Sequence, residues 1–423
     1  MYKKIFKTPE DSNYFFGYYD KSPFCINDNK HLALRVDFFD RLPIWGDVAD
    51  IGFFDLNDSE GGFQKICETN IFNWQQANML QWFGDKHTKI AFNNLERNKF
   101  NSVILDLHTG NKSIFDIALY DISNDSSYAL CIDHERHHWV RRAYSYDGIS
   151  NIKKKGNQIK DDGIYKLCFI NEKISKIIDI ADLLNIKPLK SMTQASHYVE
   201  HIMISPNNKR FAFLHRWKAA SGDIYSRLYT CNHDGSNLYL LNDSGRMSHF
   251  CWINDAQIFG WGGSINSFSS LKQSGLISHP FLSPFKSLYK KLVHSNAVDG
   301  HNSLSSMVTG DSYIIFNDLS KNFEKISVKI INKDGHPSYN HNNENLVLTD
   351  TYPDKNSKAS IFLYNIKNKD VTILDTLNSL PHTDNTEFRC DLHPKWSFSG
   401  KYISIDTLDC GSRGIYVYEK TSL

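Results

Sequence analysis

One pattern recurs seven times along the chain. A segment bearing an aromatic or a histidine runs into a turn rich in Asn, Asp or Gly, and then into a strand of alternating side chains. It reads "SPFCINDNKHLALRV", "LQWFGDKHTKIAF", "DISNDSSYALCI", "HIMISPNNKRFAFLHRW", "HFCWINDAQIFGW", "HPSYNHNNENLVLTD" and "HPKWSFSGKYISID". The turns fall near Asp28, Gly84, Asp125, Asn207, Asn254, Asn342 and Gly400. Turn residues followed by period-two alternation mark a β-hairpin. Several units carry a second hairpin, as in "SRLYTCNHDGSNLYLL", "IFLYNIKNKDVTIL" and "SVILDLHTGNKSIF". Two hairpins make a four-stranded sheet, and repeated sheets bury their faces on one another. The pattern predicts an all-β fold, a seven-bladed β-propeller of four-stranded antiparallel blades with short helical insertions. Residues 1–423 are expected to form a single propeller domain. Its last blade should mix the chain ends, with "GIYVYEK" near residue 418 beside "YKKIF".

Two segments break the repeat. Residues 134–164 are rich in Arg, His and Tyr; residues 264–300 include "SPFKSLYKKLVHS", which has the pattern of a short amphipathic helix after a proline start. Long insertions in a propeller sit on a face and often carry function. A further helix is expected in "KIIDIADLLNI", residues 176–186. Lys and Arg number 48 against 47 Asp and Glu, so overall charge gives no reason to expect nucleic acid as a partner. No run of about 18 apolar residues offers a membrane span. The eight cysteines are scattered without a C-x-x-C pair, which fits reduced thiols. The start "MYKKIFKTPEDSNYFF" lacks the apolar stretch of a secretory signal. A cytoplasmic monomer is the resulting expectation, or a periplasmic protein if the sequence is a processed form.

The histidines keep register with the turns. His201 and His336 stand six residues before Asn207 and Asn342, His249 five before Asn254, and His393 seven before Gly400. Histidine is 18 of 423 residues, so chance would place fewer than one in these seven slots. In a propeller the first strand of each blade lines the central channel. Four imidazoles should therefore converge at one channel mouth. The far end of each following strand returns to that mouth, where the sequence offers His215 with Arg216, Asp350, Asp406, Asn93 with Asn94, and Asp133.

Convergent imidazoles with carboxylates suit a divalent metal, Zn²⁺ or Mn²⁺, or proton transfer near neutral pH. In "RCDLH", Asp391 and His393 share a strand face while Cys390 points the other way. Asp391 and His393 are therefore the better ligand pair, and Cys390 reads as core filler. The basic cluster Arg136, His137, His138, Arg141 and Arg142 would attract a polyanion, with Trp139, Tyr144 and Tyr146 as sugar-stacking faces.

Taken together, "YFFGYYDKSPF", "WQQANMLQW", "FLHRW", "GHPSYNHNNENLVLTDTYPD" and "RCDLHPKWSFSGKYISID" resemble the seven-bladed propeller polysaccharide lyases of bacteria. The likeness is nearest to ulvan lyases and more distant to oligogalacturonate lyases. It spans residues 14–418. Such a resemblance implies cleavage of a uronic-acid-containing poly- or oligosaccharide by β-elimination. It implies His215 and Arg216 of "FLHRW" as catalytic, with Tyr144 in the aromatic-basic loop, and the histidine register adds His201 to the catalytic candidates. It implies His249 and His393 as metal ligands; the strand reading adds Asp391 to them, and Arg142, His336 and Trp217 are expected on the substrate side. "FNNLERN" carries Asn where some lyases have His. The alternatives are a non-catalytic propeller that binds a glycan or protein, and a cytoplasmic enzyme of capsule or O-antigen assembly.

Overall fold

Each of the seven hairpin turns joins the first two strands of a four-stranded antiparallel sheet. Five of the turns place a residue in the left-handed region: Asp28 (φ 57°), Gly84 (81°), Ser126 (53°), Asn208 (61°) and Gly400 (72°). Gly, Asn and Asp reach that region with least strain, which is why they punctuate the repeat. The structure, a computed structural model, describes all residues except 1, 59–61, 150–161, 264–309, 329–330, 332, 343–344, 381–387, 410 and 422–423.

The sheets are seven propeller blades. Six are built in chain order, from residues 13–69, 81–115, 119–179, 196–245, 247–326 and 338–378. The seventh takes three strands from residues 395–420, and its outer strand is Tyr2–Lys7. Tyr2 lies opposite Lys420 and Lys7 opposite Tyr416, so the two chain ends close the ring as the sequence suggests.

First strands of successive blades touch from the third blade to the seventh, forming an inner ring. The recurring tryptophan of the repeat is a clasp between blades. Trp82 Nε1 donates to Pro23 O of the preceding blade (2.8 Å), Trp252 Nε1 to Met203 O (3.0 Å) and Trp396 Nε1 to Ser338 O (3.4 Å). Each indole buries its ring and still satisfies its one donor, which a phenylalanine could not do.

Of the expected helices, the one before blade four is shorter than "KIIDIADLLNI". It covers Ile180–Asn185, because Lys173–Asp179 is already committed to a strand and Asp179 caps the helix by accepting from Ala181 N (2.9 Å). The first part of the basic segment of the third blade is helical. It folds into the helix His134–Val140, capped by Asp133, and a 3-10 turn Arg142–Tyr144. Arg136 is buried against Asp162. The insertion 264–300 and its expected helix lie outside the described residues. No helix among the described residues is long and apolar enough to cross a membrane.

Deleting residues 1–8 should bare the backbone edge of Gly414–Lys420. We expect a melting temperature several degrees lower and concentration-dependent aggregation, read by calorimetry and light scattering.

Candidate functional site

The inner strand of blade one is interrupted. Asn13–Phe15 pairs with the second strand, residues 16–23 leave the sheet, and Phe24 rejoins it opposite His31. The excursion crosses the channel. It begins at Gly17, whose φ is +120° and where a Cβ would lie 3.0 Å from Ala77 N and from Gln76 C. Only glycine meets both conditions. Beyond it, Tyr19 OH donates to Phe250 O (3.0 Å) and accepts from Phe250 N (3.1 Å) in blade five. Tyr18 OH lies 3.1 Å from His201 Nε2 in blade four. Ser22 Oγ donates to Trp396 O in blade seven (2.8 Å).

The four register histidines surround this segment. Consecutive ring centres are 5.4 Å apart for His201 and His249, 4.3 Å for His249 and His336, and 4.4 Å for His336 and His393. All four are buried. His201 (φ 54°) and His393 (φ 43°) have left-handed backbones, and a bulge between Glu200 and Met203 turns His201 toward the axis. Such strain persists only where surrounding contacts impose it, and it gathers at functional sites.

Hydrogen bonds fix the tautomers of two of these rings. His393 Nδ1 is 3.1 Å from Gly17 O, and a carbonyl can only accept, so the proton sits on Nδ1. His336 Nδ1 is 2.9 and 3.0 Å from the two oxygens of Asp350 and donates likewise. Asp350 also accepts from the backbone N–H of His336 (2.7 Å) and of His393 (3.1 Å). The free lone pairs are thereby on His336 Nε2 and His393 Nε2. Both atoms, and Asp391 Oδ1, are buried without a hydrogen-bond partner. His336, Asp391 and His393 bring ligand atoms within 4.8 Å of one another. Carboxylate or carbonyl bonds behind metal-binding histidines orient the rings in this way. The donor set therefore fits a divalent metal. It differs from the expected set in taking His336; His249 instead turns Nδ1 to Asp334 (3.1 Å).

Charges divide the site. Burial pushes the His393 imidazole well down, helped by His336 and Lys395, and pushes His201 down, helped by Arg216. Both are neutral at neutral pH. Burial also presses on His336, but Asp350 outweighs it and raises this ring. Burial pushes the Glu200 carboxyl up, yet Arg216 and Arg141 outweigh it and hold it below the usual range. Arg216 Nε is 2.8 Å from Glu200 and Arg141 Nε 3.7 Å. Arg389 Nε donates to Asp391 Oδ2 (2.5 Å), and its Nη2 reaches Tyr144 OH (3.5 Å). Tyr144 packs edge-on to Tyr18, with ring centres 5.9 Å apart.

The sequence-derived residues thus fall into two groups. His201, His249, His336, Asp391, His393, Tyr144 and Arg216 meet at the channel mouth. His215, Trp217 and Arg142 do not. His215 alternates away from Arg216 along Arg210–Lys218, and its Nε2 is 3.0 Å from His197 Nδ1. Its buried ring packs on His197 and Trp217, away from the channel mouth where the sequence placed it. Trp217 is fully buried on that same side, stacked on Tyr225 with Nε1 donating to Ser191 Oγ (3.2 Å). Arg142 turns outward to His138 and Asp147. Of the strand-end residues, Asp406 is held by Lys395 and Arg413, and Asn93 braces the Leu119 backbone.

Tyr18, Tyr19, Glu200, Asp334 and Tyr352 were not singled out from the sequence. The "FGYYD" glycine was the available signal for the first two, because a glycine inside a strand pattern marks a break or a close approach.

Fold and donor set together define a seven-bladed β-propeller whose channel mouth carries a buried His–Asp–His group. No family model and no curated protein matches this sequence. Solved structures do. An oligogalacturonate lyase from Vibrio parahaemolyticus superposes with a TM-score of 0.62 at 13% identity, covering 100% of this chain and 94% of its own. An oligogalacturonate lyase in complex with manganese gives 0.61 at 12%, covering 100% and 93%. The propeller domain of the trilobed protease from Pyrococcus furiosus gives 0.50 at 9%, covering 98% and 96%. At these identities the likeness shows the fold. It agrees with the oligogalacturonate branch of the resemblance and not with ulvan lyases specifically.

Two measurements test this description. Gly17→Ala should destabilise the fold by about 1–3 kcal/mol, because the methyl meets backbone at a φ that alanine resists; chemical denaturation reads it. Buried histidines set the acid response. Burial lowers His197 and His215, and brings His31 and His134 to about 3. Above pH ~6.5 they are neutral in both states and contribute nothing. Below it the unfolded chain takes up protons that the folded chain refuses, so stability falls as pH falls. Melting temperature should drop between pH 7.5 and 5.5, and less steeply in His215→Gln.

Proposed function

We propose that this protein is a metal-assisted lyase that cleaves a uronic-acid-containing oligo- or polysaccharide by β-elimination. The observation that carries this reading is the buried His336–Asp391–His393 group, whose ligand atoms lie within 4.8 Å of one another: the two Nε2 atoms have no hydrogen-bond partner and stand 4.0 and 3.8 Å from Asp391 Oδ2. They would hold a divalent ion, Zn²⁺ or Mn²⁺, with the His249 ring alongside. The fold-related oligogalacturonate lyase solved with manganese supports the reading. Bound there, the ion would neutralise the uronate carboxylate and so acidify the proton α to it.

The remaining roles follow from charge and position. His201 is neutral and so can accept a proton; its ring faces Tyr18 and lies 6.2 Å from that of Tyr144. It takes the C5 proton. The C–H electron pair becomes the C4–C5 double bond, the C4–O bond breaks, and the leaving oxygen takes a proton from Tyr144. Arg216 and Arg141, with Glu200 between them, give the substrate a cationic wall. This replaces His215 as base with His201.

Incubation with polyuronates should generate the ultraviolet absorbance of an unsaturated uronate. His201→Ala should lower turnover by about 10²-fold or more with metal content unchanged. His393→Ala should lose the metal, measured by elemental analysis. A folded protein that binds no metal and no polyuronate would overturn the lyase in favour of a non-catalytic binding propeller. Binding without elimination would favour a role in capsule or O-antigen assembly.

A further inference from the structure

The upper site, at the histidine mouth of the channel, has two halves, and one side chain touches both. Arg389 stands two residues before Asp391, where the chain enters blade seven. Its backbone O accepts from Gln75 Nε2 (3.3 Å), and Phe388 beside it packs on Phe39 with ring centres 4.8 Å apart. Its guanidinium lies 5.1 Å from the centre of the Tyr352 ring. From there Nε donates to Asp391 Oδ2 (2.5 Å), and Nη2 reaches Tyr144 OH (3.5 Å). Burial presses on this charge, but Asp391, Tyr352 and Tyr144 outweigh it, so Arg389 stays a cation.

Each contact has a chemical consequence. A carboxylate oxygen has two lone pairs, and Arg389 takes one of those on Oδ2. The same oxygen stands 4.0 Å from His336 Nε2 and 3.8 Å from His393 Nε2. Oδ1 has no hydrogen-bond partner, so the bond that turns this carboxylate to the two imidazoles is the one from Arg389. Tyr144 lies between two guanidiniums, with Arg141 4.4 Å from its ring centre. When the leaving oxygen takes the Tyr144 proton, the O–H electron pair stays behind as a phenolate. A hydrogen bond to that charged oxygen is stronger than one to the neutral hydroxyl, so Arg389 gains most as the proton departs. The proton on His201 then returns to Tyr144 through solvent, which restores both. A lysine could meet either partner, but its single ammonium lacks the planar fork that spans the two.

We propose that Arg389 is the positioning residue of this site: it aims Asp391 at a divalent ion beside His336 and His393, and it stabilises Tyr144 as its proton leaves. The second role rests on the lyase reading; the first needs only that an ion binds.

Two measurements on the full chain test it. After dialysis against a chelator, calorimetric titration with manganese chloride should show Arg389→Lys binding Mn²⁺ about tenfold or more weakly than the wild type, with Tyr144→Phe unchanged. At saturating Mn²⁺, on the polyuronate that the wild type cleaves, Arg389→Lys should lower kcat by about tenfold or more and leave KM as it was. Adding Arg389→Lys to Tyr144→Phe should slow the enzyme no further. Arg389→Gln, which keeps a donor and loses the charge, should behave alike and serves if circular dichroism shows the lysine variant unfolded. Wild-type Mn²⁺ affinity in the Arg389 variants would overturn the proposal. So would additive losses in the double variant, or a raised KM at unchanged kcat, the mark of a residue that binds substrate. A wild type that binds Mn²⁺ but eliminates no polyuronate overturns the lyase reading and the Tyr144 role with it, and the titration then decides the Asp391 role by itself. A wild type that takes up neither Mn²⁺ nor Zn²⁺ overturns both.

Discussion

The hydrogen bond from His393 Nδ1 to Gly17 O holds the upper site together. An open propeller channel would be a column of water, and imidazoles around it would be solvated and free to rotate. Here a strand leaves its own blade to fill the axis, and its side chains touch blades three, four, five, six and seven. The filled channel gives the histidines a floor and a dry surrounding. It also decides which nitrogen of His393 carries the proton. The left-handed Gly17 is the local condition for this path.

Dryness alone would make the site unfavourable, since buried charges are costly unless paired. The pairing is distributed over different blades. Asp350 serves the His336 ring and the backbone of two histidines at once. Glu200 stands between Arg216 and Arg141, and Asp391 is backed by Arg389. Asp350 and Glu200 thus fix partners from other segments of chain, while Asp391 fixes one two residues away. The result sets neutral rings beside cationic groups, with Glu200 shared by Arg216 and Arg141 and Asp391 held by Arg389.

What the sequence made legible was whatever kept a fixed offset from a turn. The blades, the closing pair of chain ends and the four histidines all have such an offset, and all stand where the repeat puts them. His215 and Arg216 show the limit of that reasoning. They are neighbours in sequence, but strand alternation sends one to the axis and the other into a stack with His197 and Trp217. No bulge intervenes where Val199 pairs with His215. Tyr18 and Tyr19 escaped notice for a different reason. Their segment breaks the strand pattern, and its partners are hundreds of residues away. Glu200 stood beside a histidine already identified, and only the bulge shows that both turn toward the channel.

The closure of blade seven has a consequence for how the protein is made. Residues 2–7 wait for residues 414–420, so the pairing with the greatest sequence separation is among the last that synthesis permits. Contacts so distant are slow to form. The upper site shares that timing: Gly17 must meet His393, and Tyr18 must meet His201. A ribosome-bound chain lacking its final blade would therefore hold several finished sheets and no assembled His336–Asp391–His393 group. Any activity of this site begins only when the circle is complete, which leaves nascent and truncated chains chemically silent.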